Sequence, residues 1–251
     1  MLKRLFITAT LLLAAAGSAQ AWTWHFNWGG GETVKGSGEV GSEARELGQF
    51  DGIALSGDFK VQVRQAEVNK VTLLADKNLL PLIETRIVEG SKGRMLEIEA
   101  KRGSNLSTTV TPLITLEMPR LRAVSVNGSG DIRVEAMKTP ELEASIAGSG
   151  KLEFVNLSSD SVSLKIAGSG DILASGRAGK LSISVAGSGD VKAHGLEAKD
   201  VKISIAGSGN AEVSASRTLK VSIAGSGDVS YAGSPEASIS VAGSGKVRAK
   251  P

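Results

Sequence analysis

The chain has 251 residues, 41% of them apolar, with 31 glycines, 4% aromatics and no cysteine. It can fill a core but has no means of forming a disulfide framework, a zinc–thiolate site, a lipid-modified cysteine or a thiol nucleophile. The formal net charge is +3; without Lys3 and Arg4 the 29 basic residues become 27, against 26 acidic ones. Both signs are interspersed, which argues against nucleic acid or an anionic membrane as partner, since each needs a concentrated basic surface.

Residues 1–21 read as a secretory signal peptide. Lys3 and Arg4 supply the positive start, a short apolar run comes next, and Ala19-Gln20-Ala21 is a small-x-small cleavage site. No run reaches the ~18 apolar residues of a membrane span, so the cleaved chain is not expected to be an integral membrane protein. Export to the periplasm, the outer surface or the medium is expected. Residues 22–46 form an aromatic leader and a glycine-rich linker. The leader, Trp22-Thr-Trp24-His25-Phe26-Asn-Trp28, holds all three tryptophans. As a strand, Trp22, Trp24, Phe26 and Trp28 share one face. They are candidate ligand or partner contacts, or a cap over an open β-helix end. His25 is the fourth residue after the cleavage site, one too far along for the N-terminal copper pattern.

Residues 47–127 form an N-terminal β-rich portion. Alternation recurs in Phe59-Lys-Val61-Gln-Val63, Leu96-Glu-Ile98-Glu-Ala100 and Leu113-Ile-Thr115-Leu-Glu. Ser56-Gly57-Asp58 reads as a degenerate turn, and the stretch from Asn78 to Arg86 fits a helical turn with Pro81 near its start. This portion is expected to cap or continue the solenoid formed by the C-terminal half.

Residues 128–251 are repetitive. Gly-Ser-Gly begins at Gly128, Gly148, Gly168, Gly187, Gly207, Gly225 and Gly243, at intervals of 18 to 20 residues. A typical copy is Val201-Lys-Ile203-Ser-Ile205-Ala-Gly-Ser-Gly-Asn-Ala211-Glu-Val213. Strand alternation on either side of a glycine corner predicts one coil of a parallel β-solenoid with coils ~4.8 Å apart. The fold class is therefore all-β, a right-handed parallel β-helix with a β-rich N-terminal portion. Leucine-rich repeats lack this pattern, and a propeller blade needs about 40 residues.

These corners, with Asp76-Lys-Asn78-Leu-Leu80 upstream and Tyr231-Ala-Gly-Ser-Pro235 downstream, resemble the head GIN domain family, a group of unknown function labelled as an autotransporter adhesin head. The resemblance runs from about Phe50 to Val247. It implies an exported bacterial β-helical protein and brings no catalytic residues with it. The sequence stops six residues after Gly245 without a translocator barrel, so self-delivered display is not expected.

The residues after each triplet, Asp131, Lys151, Asp171, Asp190, Asn210, Asp228 and Lys246, should stack as a corner column. Calcium would need six to eight oxygens, and lysines occupy two of the positions. No metal and no cofactor are expected. Asp171 and Asp190 on adjacent coils match a retaining glycosidase's carboxyl spacing of ~5–5.5 Å, but a periodic aspartate stacks in any solenoid. Only His25 and His194 could activate a serine, and neither has a reason to meet one. The leading expectation is a non-enzymatic adhesin-like or scaffold protein presenting a repetitive polar face to a glycan or cell-envelope component. The alternatives are a periplasmic self-assembling module, which would be a homo-oligomer, and a polysaccharide-active β-helical enzyme.

Overall fold

A computed structural model describes residues 32–90 and 93–250. The signal segment and the leader residues Trp22, Trp24, Phe26 and Trp28 lie outside the described residues. Strand accounts for 73% of the structure, in a β-solenoid of about six turns. In chain order the strands are β1 (Glu32–Lys35), β2 (Val40–Arg45), β3 (Gly52–Ser56), β4 (Lys60–Gln65), β5 (Lys70–Asp76), β6 (Ile83–Gly90) and β7 (Gly93–Ala100). Then come β8 (Ser104–Ser107), β9 (Leu113–Met118), β10 (Ala123–Gly128), β11 (Asp131–Glu135), β12 (Lys138–Gly148) and β13 (Lys151–Gly168). The last are β14 (Asp171–Gly187), β15 (Asp190–Gly207), β16 (Ala211–Gly225), β17 (Val229–Ala232), β18 (Glu236–Gly243) and β19 (Val247–Ala249). One 3-10 turn, Leu80–Leu82, holds Pro81 at its start, where the missing N–H would be unpaired anyway.

The alternating Val, Ile and Leu of the repeats point into the cylinder and stack in parallel register. One column runs Ala144, Leu164, Ile183, Ile203, Val221, Ile239. Its neighbour runs Ile146, Ile166, Val185, Ile205, Ile223, Val241. Every member except the last of each column is at most 3% exposed. Branched chains one strand spacing apart fill the space between coils, and their burial stabilises at roughly 25 cal/mol per Å².

The corner explains why the triplet is Gly-Ser-Gly. The first glycine has φ near +130°, as at Gly148 and Gly187, a region L side chains rarely occupy. The third does not, yet a Cβ on Gly150 would lie 2.5 Å from the Gly130 carbonyl oxygen and 2.6 Å from Val126 Cγ1. One glycine is required by conformation and the other by the coil beneath. The Gly148 carbonyl then accepts the N–H of both Ser169 (2.9 Å) and Gly170 (3.0 Å) from the next coil.

Spatial order departs from chain order near the start. β3 and β4 lie between the β7/β9 level and the β10/β11 level, all in parallel register. Gly57, at φ +110°, donates its N–H to Asn127 O at 3.0 Å, so Ser56-Gly57-Asp58 is a corner stacked against the first full triplet. Beyond β7 and β9 the sense changes: β6 runs antiparallel on β7, β5 on β9, and β2 on β5. One buried core extends from Phe50 to Val229, so the two β portions share it.

The described part of the stretch read as linker is not one: residues 32–35 and 40–45 are the strands β1 and β2. The glycines there allow close approach rather than freedom. A Cβ on Gly41 would lie 2.7 Å from Lys77 Cγ, and one on Gly36 would overlap the Asp76 carboxylate. Arg45 ties β2 down by donating to Ile83 O (2.6 Å), Leu80 O (2.8 Å) and Thr85 Oγ1 (3.0 Å).

Candidate binding surfaces

The corner column exists, and in its later coils the Asp190 and Asp228 carboxylates are engaged by the fold. In the earlier coils the column residue donates its N–H to a main-chain carbonyl of the preceding level: Asp131 to Phe59 O (2.9 Å), Lys151 to Gly130 O (3.1 Å), Asp171 to Gly150 O (3.1 Å). Further along, Val191 N–H donates to Asn210 O (2.9 Å), Ala211 to Asp228 O (3.0 Å) and Val229 to Lys246 O (2.8 Å). At 210, 228 and 246 the column N–H is taken up by a side chain of the coil before. Asn210 N–H donates to Asp190 Oδ1 (3.0 Å), Asp228 N–H to Asn210 Oδ1 (3.0 Å) and Lys246 N–H to Asp228 Oδ1 (2.9 Å).

This accounts for where lysine is tolerated. At Lys151 the following coil uses a carbonyl, and at Lys246 no following coil is present among the described residues. At 190, 210 and 228 an oxygen acceptor is required. Asn210→Ala should therefore lower stability by about 1–3 kcal/mol, two net hydrogen bonds, since its Oδ1 accepts from Asp228 and its Nδ2 donates to Asp190, whereas Lys151→Ala should be nearly neutral; urea unfolding of both variants checks this.

Asp171 and Asp190 are in register on adjacent coils, but Asp190 Oδ1 also accepts the Asn210 side-chain amide at 2.9 Å. The exposed His194 imidazole faces Glu212, with 3.6 Å between Nδ1 and Oε2. Among the described residues no group of three or more His, Cys, Asp or Glu comes together to hold a metal ion.

Asp76 does more than the sequence revealed. It is fully buried and accepts N–H groups from Gly38 (2.7 Å), Thr109 (3.0 Å) and Val110 (3.1 Å). The Val110 N–H first, and then those of Gly38 and Thr109, hold its carboxyl below the usual aspartate range against the opposing effect of burial. Asn78 completes the clamp, accepting from Ser37 N–H (2.9 Å) and donating to Lys35 O (2.8 Å). Asp76-Lys-Asn78 thus fastens the β1–β2 turn and the β8–β9 loop to the first levels of the solenoid.

The surface best formed to receive an extended molecule lies at a different bend. Thr139, Ser159, Ala178, Ala198 and Ala215 stack across successive coils. They floor two contiguous clefts of about 510 and 540 Å³ that share Arg177, Ala178 and Lys199. Lys138, Arg177 and Lys199 stand on the walls with Asp160 and Glu197. Register shifts at this bend, between Leu173 and Ser175 and between Ala193 and Glu197, break the sequence period. That hid the floor from a reading by repeat.

Fold and surface together define a parallel β-solenoid in which Asp190, Asn210 and Asp228 serve the stack and a cleft runs across the coils. Residues 49–235 match the family described as "Putative auto-transporter adhesin, head GIN domain", and the chain belongs to it. Among solved structures, a "putative adhesin" from Bacteroides fragilis NCTC 9343 is 21% identical, with a TM-score of 0.81, covering 86% of this chain and 100% of that one. A "putative lipid binding protein" from Parabacteroides distasonis ATCC 8503 is 26% identical, with a TM-score of 0.74 and coverage of 88% and 100%. A "putative adhesin" from Parabacteroides merdae ATCC 43184 is 22% identical, with a TM-score of 0.70 and coverage of 87% and 99%. Comparison with curated proteins finds no match. Among the described residues no helix is long and apolar enough to cross a membrane.

Proposed function

We propose that the protein is exported through residues 1–21 and acts without catalysis, as an adhesin-like or scaffold protein that binds a glycan or cell-envelope component along the coil-crossing cleft. The observation that carries this reading is the floor of small residues from Thr139 to Ala215, flanked by Lys138, Arg177 and Lys199. Stacked coils repeat similar contacts at ~4.8 Å, which suits a polymer and lets weak contacts add. The core is filled by side chains such as Phe154, Leu164 and Ile183, each at most 1% exposed. A lipid, the ligand class in the Parabacteroides distasonis relative's name, would therefore meet this chain on its outside.

Arg177 and Lys199 carry the test. Purified protein should bind at least one fraction of an envelope-glycan panel, and Arg177→Glu with Lys199→Glu should weaken that binding roughly tenfold, as lost charge contacts do, without changing Tm. Absence of binding to every glycan and envelope fraction, or binding unmoved by the double substitution, would sink the proposal.

A further inference from the structure

The last coil of the described chain is uncovered. β18 pairs only with β16, and β19 only with β17. All eight residues of β18 are exposed, including Ile239 at 47% and Val241 at 39%, although they end columns whose other members are buried. Residues 237–243 read Ala-Ser-Ile-Ser-Val-Ala-Gly, without charge or proline. Proteins ordinarily blunt such an edge with lysine, proline or a bulge. The opposite end is managed in that way: its outer strands β2 and β6 carry Glu43, Arg45, Glu84, Arg86 and Glu89, and Arg86 pairs with Glu84, Glu97 and Glu99.

We propose that the β18 edge is the interface of a two-fold homodimer in which two copies meet through their last coils. A second copy offers one charge-free edge of matching pattern, and it is the same edge. Self-contact of that kind closes as a dimer rather than growing into a fibre. Two-fold contact makes β18 antiparallel to its counterpart, and residues opposite one another then share a face. Ala237, Ile239 and Val241 continue the inward columns of Leu219, Val221 and Ile223, so a register setting Ile239 against the partner's Val241 joins the two cores. The same register sets Ser240 against Ser240 and Glu236 against Ser244, two residues from the lysine at 246, which adds complementary charge.

The area defines the strength. A coil of 18 residues, at about 3.3 Å each, encloses at most about 280 Å². That is below the ~800 Å² per partner of a standard interface, so the dimer depends on concentration. Dimerisation and glycan binding are separable, because Arg177 on β14 and Lys199 on β15 lie at least two coils from β18.

Sedimentation of purified protein across a concentration series should show monomer passing to dimer, and Ile239→Lys with Val241→Lys should abolish the dimer while leaving Tm unchanged. The chain has no cysteine, so Ser240→Cys can form only intermolecular disulfides. Opposed Cα atoms at about 4.5–5.5 Å fall within disulfide reach. Mild oxidation should trap Ser240→Cys as a dimer far more completely than Ser222→Cys, one coil inward. A monomer at all concentrations, growth beyond dimer, unchanged association in the double-lysine variant, or equal trapping of the two cysteine variants would each overturn the proposal.

Discussion

Gly187→Val should prevent the chain from folding into an intact solenoid, or lower its stability by more than about 4 kcal/mol, the range reserved for severe steric lesions. Gly187 has φ +130°, where a β-branched residue is strained. An added Cβ would also overlap the carbonyl of Gly168 in the coil beneath. That carbonyl accepts Ser188 N–H (2.9 Å) and Gly189 N–H (3.1 Å). The coil therefore has to separate from its neighbour, breaking two hydrogen bonds and opening the packing of Val185 on Ile166. Ser188→Ala, at the exposed middle of the same triplet, is the control and should stay within about 0.5 kcal/mol of wild type. Urea unfolding followed by far-ultraviolet circular dichroism distinguishes the two. Native-like stability of Gly187→Val would show that the corner is not held as described.

Asp76→Asn should bring the second large loss, and its dependence on pH identifies the cause. The carboxyl is lowered in the folded protein, so its contribution is fully present above the unfolded value of about 3.9. It is lost as pH falls through the lower folded value. At pH 7 the variant should melt several degrees below wild type, because Gly38, Thr109 and Val110 lose a charged acceptor in a buried site. As pH falls below about 4 the two curves should draw together, and they should meet only once pH passes below the lowered folded value, where protonation gives wild type a neutral acceptor too. Asp200 shares the direction. Its carboxyl, lowered to about 2 by hydrogen bonds from Arg217 and then Thr218, also protects the fold through that window, but as a half-open surface pair it contributes less. A stability difference between Asp76→Asn and wild type that stayed constant from pH 7 to pH 2.5 would mean that charge is not what the clamp uses.

The solenoid was legible because its physics is local and repeated. A residue that must be small or must point inward recurs at each coil, and the period exposes it. The column from Asp131 to Asp228 was legible as a column for the same reason. Its purpose was not, because the acceptor role of Asp190, Asn210 and Asp228 depends on which way the next coil's N–H groups point. The glycines at 36 and 41 looked like flexibility, since sequence separates them from Asp76 and Lys77 by about forty residues. The cleft floor was invisible for a further reason: register shifts at that bend move Ala178, Ala198 and Ala215 out of step with the triplets.

The sequence by itself determined an all-β, coil-repeating chain with a buried Val, Ile and Leu interior and glycine corners, because alternation and steric exclusion act between neighbours and between equivalent positions. The tertiary structure alone decided that β3 and β4 stack out of chain order, that residues 32–45 join the sheet, that Asp76 clamps two distant loops and that Ile239 and Val241 stand uncovered. Each of those depends on contacts between segments far apart in the chain, which no period records.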